Sequence, residues 1–284
     1  MKYILLIFSG MLFLGCTESE KKIQQSFFVA GHAYGKPAPT GKKELYPPFK
    51  EKFSFLNSKN LSFGVLLGDV VRYPSSWPNV LKELEDLTMP YYIARGNHDG
   101  PLDNFEDMFG KSYQKFVQDN NLFIILDPNI DQWNISGDQL VFLKETLQYE
   151  GQNADHIFIF MHQLIWWSKE KFSEPKPNWQ QNRAEKPNYW STIQPILESI
   201  GKEVYLFAGD VGAFSKEYKK KDHIIEYAYF KENNITYIAT GMGGGVRDNI
   251  VIVNIYEDKS VKLNLVHLNG DNINSLGKLK YYGE

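Results

Sequence analysis

The stretch Tyr91-Tyr92-Ile93-Ala94-Arg95-Gly96-Asn97-His98-Asp99 decides how the chain is read. Its first four residues form an apolar run that reads as a buried strand, and its last four form a turn carrying an amide, an imidazole and a carboxylate. Gly96 gives the backbone freedom to swing those side chains out from the strand end, where open α/β folds place their ligands. Asn97 offers an amide oxygen to a hard cation, and His98 an imidazole suited to proton transfer. A second strand-to-turn unit lies upstream, Leu61-Ser62-Phe63-Gly64-Val65-Leu66-Leu67-Gly68-Asp69, and a third downstream, His156-Ile157-Phe158-Ile159-Phe160-Met161-His162. Each delivers a metal-ligand residue type at its C-terminal end.

Outward from these units the sequence alternates strand and helix. Ser26-Phe27-Phe28-Val29-Ala30 reads as the first strand of the domain, followed by a loop with Gly31-His32. Residues 42–56 carry apolar positions at helical spacing, and in residues 77–87 Val80, Leu81, Leu84 and Leu87 share one helical face. Residues 122–127 form a further strand, and Ser136 with Gln139 predicts a capping box that opens a helix over 140–148. Residues 163–190 break the rhythm with prolines, charges and tryptophans, among them Trp166, Trp167 and Trp179. A helix over 191–200 then leads to a strand at 204–208 and the turn Gly209-Asp210-Val211-Gly212. Strands at 235–239, 250–256 and 261–268 follow, with a glycine-rich turn at 241–245. The simplest organisation is one α/β domain over 26–284 with a tryptophan-rich insertion at about 163–190.

The 284 residues, of which 43% are hydrophobic, supply ample apolar content for a core. The net charge of −3 comes without a basic block, which argues against nucleic acid as a partner. Residues 1–15 combine Lys2 with an apolar run too short to span a bilayer and read as a secretion signal. Cys16, the single cysteine, directly follows that run and Gly15. The arrangement resembles a bacterial lipoprotein signal, which implies lipidation at Cys16, a polar tether over 16–25 and a lipid-anchored place in the cell envelope. The plainer alternative is a free cysteine inside an ordinary signal peptide. One cysteine excludes disulfides within the chain.

Taken together, Gly31-His32, Gly68-Asp69, Gly96-Asn97-His98-Asp99, His162 and Gly209-Asp210 lie in loops at successive strand ends. This series resembles the calcineurin-like metallophosphoesterases, over about residues 27–268, and includes the Ser-Gly-x-Gln helix start at Ser136. The resemblance implies a four-layer α/β/β/α sandwich, with the strand-rich C-terminal third supplying much of the second sheet. It also implies metal ligands. Asp69 stands at the position of the carboxylate that bridges two ions in that family, Asn97 and His162 stand at ligand positions, and His98 at that of an acid that does not bind metal.

Two motifs depart from the family pattern. The usual Asp-x-His reads Ala30-Gly31-His32, and the usual Gly-His-x-His reads Gly209-Asp210-Val211-Gly212. Both losses fall on one metal site, which keeps only His32 and Asp69. The other keeps Asp69, Asn97 and His162, with Asp210 in place of an imidazole. One divalent ion is therefore implied and a second is doubtful. Two carboxylates, an amide and an imidazole favour Mn, Mg or Fe(II) over Zn.

The activity implied is hydrolysis of a small-molecule or glycan phosphoester. His98 would protonate the leaving oxygen, Asp99 would orient its ring, and Arg72 would clamp the phosphate, with Arg95 and Arg247 as weaker candidates. Arg72 as an ordinary surface arginine stands equally open. Exposed rings of Trp166 and Trp167 would suit stacking on a sugar, against the plainer reading of aromatic packing under a loop. A rival function is a degenerate member that binds a metal or glycan without turnover. An enzyme acting on a non-phosphate ester or glycan bond is the third reading.

Overall fold

The computed structural model describes residues 21–35, 44–171, 177–212, 227–243, 248–268 and 276–277. The signal, Cys16, Arg247 and part of the tryptophan-rich insertion lie outside the described residues. Among the described residues no helix is long and apolar enough to cross a membrane.

In chain order the elements begin with β1 (Ile23–Ala30), α1 (Pro47–Lys50), α2 (Phe53–Asn57), β2 (Phe63–Leu66), α3 (Trp77–Leu84) and β3 (Tyr91–Ile93). There follow α4 (Leu102–Phe109), β4 (Gln114–Gln118), β5 (Asn121–Ile125), α5 (Gly137–Thr146), β6 (His156–Met161), α6 (Gln194–Ser199) and β7 (Glu203–Ala208). The described elements end with β8 (Tyr227–Glu232), β9 (Ile235–Thr240), β10 (Asn249–Tyr256), β11 (Val261–His267) and β12 (Leu276–Gly277).

Strands such as β2, β5 and β6 are buried along their whole length, so each needs cover on both faces. Two six-stranded sheets provide it, in the orders β12-β11-β10-β1-β2-β3 and β4-β5-β6-β7-β9-β8. Alternate residues of β1 settle the layering. Phe27 and Val29 face the second sheet in a shared core with Phe123, Phe158, Phe160 and Phe207. Phe28 and Ala30 face outward onto Phe49, Phe53, Val80, Leu84 and Phe105 of α1 to α4. On the far side, Leu122, Ile124, Ile157 and Ile159 pack against Leu143 of α5 and Leu197 of α6. The result is the four-layer α/β/β/α sandwich.

Aromatic rings fill the space between the sheets. Phe27 stacks on Phe63 with centroids 4.9 Å apart and meets Phe158 edge-on at 5.3 Å, while Phe123 stacks on Phe158 at 5.2 Å. Removing one such ring costs about 3–5 kcal/mol, so this core fixes the relation of the two sheets and of the loops they carry.

Several expectations are corrected. The C-terminal third is divided between the sheets, because β10 pairs with β1 in the first while β8 and β9 close the second. β1 starts at Ile23, where the sequence suggested tether, since Ile23 finds a partner in Tyr256. The helix expected over 42–56 is two short ones, the first started by Pro47. Ser136 makes no side-chain cap to α5. Gln139 instead turns inward and clamps both backbone groups of Asp127, accepting from its N–H at 2.6 Å and donating to its carbonyl at 3.1 Å.

Candidate metal centre

β1, β2 and β3 run parallel, as do β5, β6, β7 and β9, so their C-terminal ends share one rim of the sandwich. The first sheet brings His32, Asp69 and Asn97 to that rim, and the second brings His162 and Asp210. Backbone bonds lock the loops together. The His32 N–H donates to Gly68 O at 3.2 Å, and the N–H groups of Gly209 and Asp210 both donate to His162 O at 2.9 Å. His32 and Asp69 hold left-handed backbone angles, φ 57° and 49°, a strain that ordinary loops avoid and functional sites retain. Gly96 is required by packing, because a Cβ there would lie 2.1 Å from Asp69 N and 2.3 Å from its Oδ1.

Two of the other four side chains meet Asp69 directly, and Asp210 joins them through His162. His162 Nε2 lies 3.4 Å from Asp69 Oδ1 and 3.7 Å from Asp210 Oδ1, and His32 Nε2 lies 3.6 Å from Asp69 Oδ2. Both imidazoles are held from behind, with Nδ1 of His32 donating to Met242 O at 2.9 Å and Nδ1 of His162 to Leu67 O at 2.7 Å. A carbonyl only accepts, so Nδ1 carries the hydrogen and Nε2 is turned toward the carboxylates, the orientation usual for metal-binding histidines.

Charge is distributed unevenly here. Burial pushes the His32 imidazole down to about 4, outweighing the pull of Asp69, so it is neutral at ordinary pH. Burial resists charge on His162 as well, but Asp69 and then Asp210 outweigh it and hold the imidazole up to about 10. Asp69, despite burial, is kept well below the usual carboxylate range by His162 and His32. Burial drives Asp210 up to about 8 against the pull of His162, with Asp69 adding to the rise.

Does this set fit a metal ion? Among the described residues the His, Asp and Glu groups do not form a ready-made cage of three or more: protonated His162 pairs with Asp69 and approaches Asp210, while neutral His32 lies against Asp69. The donor atoms themselves point to a ligand. His32 Nε2, His162 Nε2, Asn97 Oδ1 and Asp210 Oδ1 are all buried without a hydrogen-bond partner. A buried polar atom left unpaired costs about 1–3 kcal/mol, and four on neighbouring loops of one rim are explained by a cation that takes them as ligands. The residues fit a divalent ion.

The remaining expected residues fall into two groups. His98 sits at the mouth, half-buried, with its N–H on Asp69 Oδ1 at 2.9 Å and its Nδ1 on Arg72 O at 3.0 Å. Arg72 lies beside it, with Nε donating to Tyr73 Oη at 3.1 Å and Nη1 buried and unpartnered. Asp99 is a correction. Its carboxylate does not orient His98; it accepts from the N–H groups of Gly96 at 2.7 Å, Val70 at 2.8 Å and Val71 at 3.1 Å, and so ties the two ligand loops together. Burial, with Asp69 adding to it, raises that carboxyl to about 7. Arg95 is withdrawn as a clamp, because its Nε pairs with buried Asp127 at 2.7 Å.

Trp166 and Trp167 are corrected too. They are 2% and 7% exposed and pack in the core outside the second sheet, where Trp166 meets Tyr237, so neither ring is open to a sugar. The plainer reading of packing under the loop holds. What the sequence did not reveal is a cavity of about 340 Å³ beside the centre, lined by Asn97, Asn129, Gln163, Trp179, Asn182 and Arg183 among others. The only signal for it was that Gln163 directly follows His162.

A search of curated proteins by sequence gives no significant match. Among solved structures, the purple acid phosphatase PPD1 of yellow lupin (Lupinus luteus) superposes with a TM-score of 0.62 at 14% identity, over 90% of this chain and 54% of that one. The chain thus spans about half the length of that phosphatase. A dimetal phosphatase of Danio rerio gives 0.59 at 13% identity, over 87% and 96% of the two chains. At these identities the likeness is one of fold. The family model for calcineurin-like phosphoesterases matches residues 42–241, well over half of the sequence and inclusive of every ligand loop except that of His32. With the four-layer sandwich and its rim of ligand loops, that match establishes that the chain belongs to the calcineurin-like phosphoesterase family.

Proposed function

We propose that the chain is a phosphoester hydrolase that works with one divalent ion, held by Asp69, Asn97, His162 and Asp210, with His32 as a further neighbour of Asp69. The observation that carries this reading is the set of four unpartnered, buried donor atoms at one rim. Two carboxylates and an amide make the site oxygen-rich, which favours Mn, Mg or Fe(II). A divalent ion there supplies Lewis-acid stabilisation of phosphoryl charge and acidifies water.

The chain's own groups do the rest. Arg72 Nη1, buried and unpaired, is free to donate to a phosphoryl oxygen. The Arg72 carbonyl fixes the His98 ring through Nδ1, so Nε2 is the nitrogen that passes a proton to the leaving oxygen. The half-buried ring regains its proton from water. Asp99 keeps both ligand loops in register while this happens.

The test is elemental analysis of the purified chain after exposure to manganese, iron, magnesium or zinc, followed by hydrolysis of 4-nitrophenyl phosphate, with Asp69→Ala as control. About one ion per chain, metal-dependent turnover, and loss of both in the control support the reading. Tight binding of an ion with no turnover on any phosphoester would favour the rival, a family member that binds without catalysis, for which Ala30 and Gly212 speak. We further propose that Cys16 anchors the chain to a membrane of the cell envelope through a lipid, on the strength of residues 1–15. Cys16→Ser should then abolish incorporation of labelled fatty acid and release the protein from membranes.

A further inference from the structure

The cavity beside the metal centre has a chemical character that the centre does not explain. Amides dominate its lining, with Asn97, Asn129, Gln132, Gln163, Gln181 and Asn182 all contributing, and Ile130, Trp133, Trp179 and Arg183 complete it. Asn97 belongs to both the cavity and the ligand set, so the two are continuous. The cavity wall is also tied to the centre through Asp210, whose Oδ2 accepts from the N–H of the lining residue Trp179 at 3.4 Å.

Hydrogen bonds fix the orientation of two of the amides. Asn129 Nδ2 has only acceptors before it, Arg95 O at 2.8 Å and Asp127 Oδ1 at 3.2 Å, so its Oδ1 must face the other way. That oxygen meets Gln163, which must present its Nε2 as donor. Gln163 is therefore left with its oxygen as the spare group, and Oε1 is buried with no partner on a residue only 1% exposed. An acceptor held this way wants a hydroxyl or N–H donor, and a fully ionised phosphate has none.

Arg183 asks for the opposite partner. Its guanidinium lies 5.6 Å from the Trp133 ring and 5.4 Å from that of Trp167, and its Nη2 donates to Trp167 O at 2.9 Å. The Nε is buried and unpartnered, and the one carboxylate whose charge acts on the guanidinium, that of Glu170, makes no direct ion pair with it. A fixed cation with a free donor suits an anion.

We propose that this cavity holds the alcohol portion of the phosphoester and that this portion is an anionic sugar, with ring hydroxyls read by Gln163 and neighbouring amides and its negative group by Arg183. The proposal rests on the phosphoesterase reading for the role of the bound sugar, but the site can be tested without it. Half-exposed Trp179 offers a face for the ring. At about 340 Å³ the cavity is at the small end of ligand pockets, which fits one sugar residue.

The experiment is a titration of the metal-free full chain with glucuronic acid, glucose 6-phosphate and glucose, followed by tryptophan fluorescence. One or both anionic sugars should saturate the signal at least roughly tenfold more tightly than glucose, from the added charge-assisted bond. Whichever anion binds better identifies carboxylate or phosphate as the recognised group. Arg183→Gln should remove the advantage. Because Arg183 also braces its loop, Asn182→Asp serves as a second variant. It places a negative charge on an exposed position of the lining and should weaken the anionic sugars while sparing glucose. No binding, or equal binding of glucose and both anions, would overturn the proposal. Hydrolysis of 4-nitrophenyl phosphate by the manganese-loaded chain is read separately. Turnover without sugar binding removes only the subsite, and sugar binding without turnover removes only the phosphoesterase reading.

Discussion

His162 Nε2 lies 3.4 Å from Oδ1 of Asp69, and the ring that carries it is held by its other nitrogen. This pair joins the two sheets and sets the protonation of the centre. Metal-free, His162 keeps its proton up to about 10 and Asp210 up to about 8. An ion needs both without protons, so its binding must release at least about one, and affinity must rise with pH across the range below about 8. Calorimetric titration with manganese in buffers of differing ionisation enthalpy reads the proton count directly. A heat independent of buffer would contradict the assignment.

Asp69→Asn is expected to lower metal affinity by more than about 100-fold, since even groups behind the ligands are worth about 10–100-fold. The same change removes the main source of positive pull on His162, whose titration should move back toward neutrality. Proton NMR of the imidazole in the metal-free variant follows this without any assay of activity.

Arg72→Ala should cut kcat/KM for an aryl phosphate by about 10- to 100-fold and leave the metal content unchanged. The buried Nη1 has no other employment among the described residues. Unaltered kinetics would return Arg72 to the role of a surface residue.

Gln139→Glu separates two readings of one side chain. A helix cap would accept glutamate without cost. The observed clamp cannot, because a carboxylate cannot donate to Asp127 O, and the buried charge would also face that carbonyl. A loss of about 2 kcal/mol in unfolding free energy is expected, measured by urea denaturation.

Gly96→Ala tests the closeness of the ligand loops. A methyl group 2.1 Å from Asp69 N forces the loops apart, so both metal content and stability should fall, the latter by about 1–3 kcal/mol.

Much of this was legible because the ligands sit where apolar strands stop. Asp69, Asn97, His162 and Asp210 each follow a buried run, and a run followed by a turn is a local pattern that needs no partner to be seen. What escaped depends on distant contacts. Ile23 becomes strand only through Tyr256, and Gln139 turns inward only because Asp127 is there to meet it. The strands β4 and β8 and the helix α4 went unread in polar or charged surroundings. Trp166 and Trp167 lie in a segment of mixed composition that hides their burial, and the cavity draws on Asn129, Gln163 and Arg183, which are far apart in sequence and have no common spacing.

The proposed ligand set draws on both sheets, two residues from each, and the chain has one cysteine and so no disulfide of its own. An ion held there would act as a cross-brace between two slabs that otherwise cohere through their aromatic filling. Chelation should then do more than silence chemistry. It should let the slabs part at the rim, exposing the ends of β1, β2, β6 and β7 to proteases and hydrogen exchange while the far end of the sandwich stays shut.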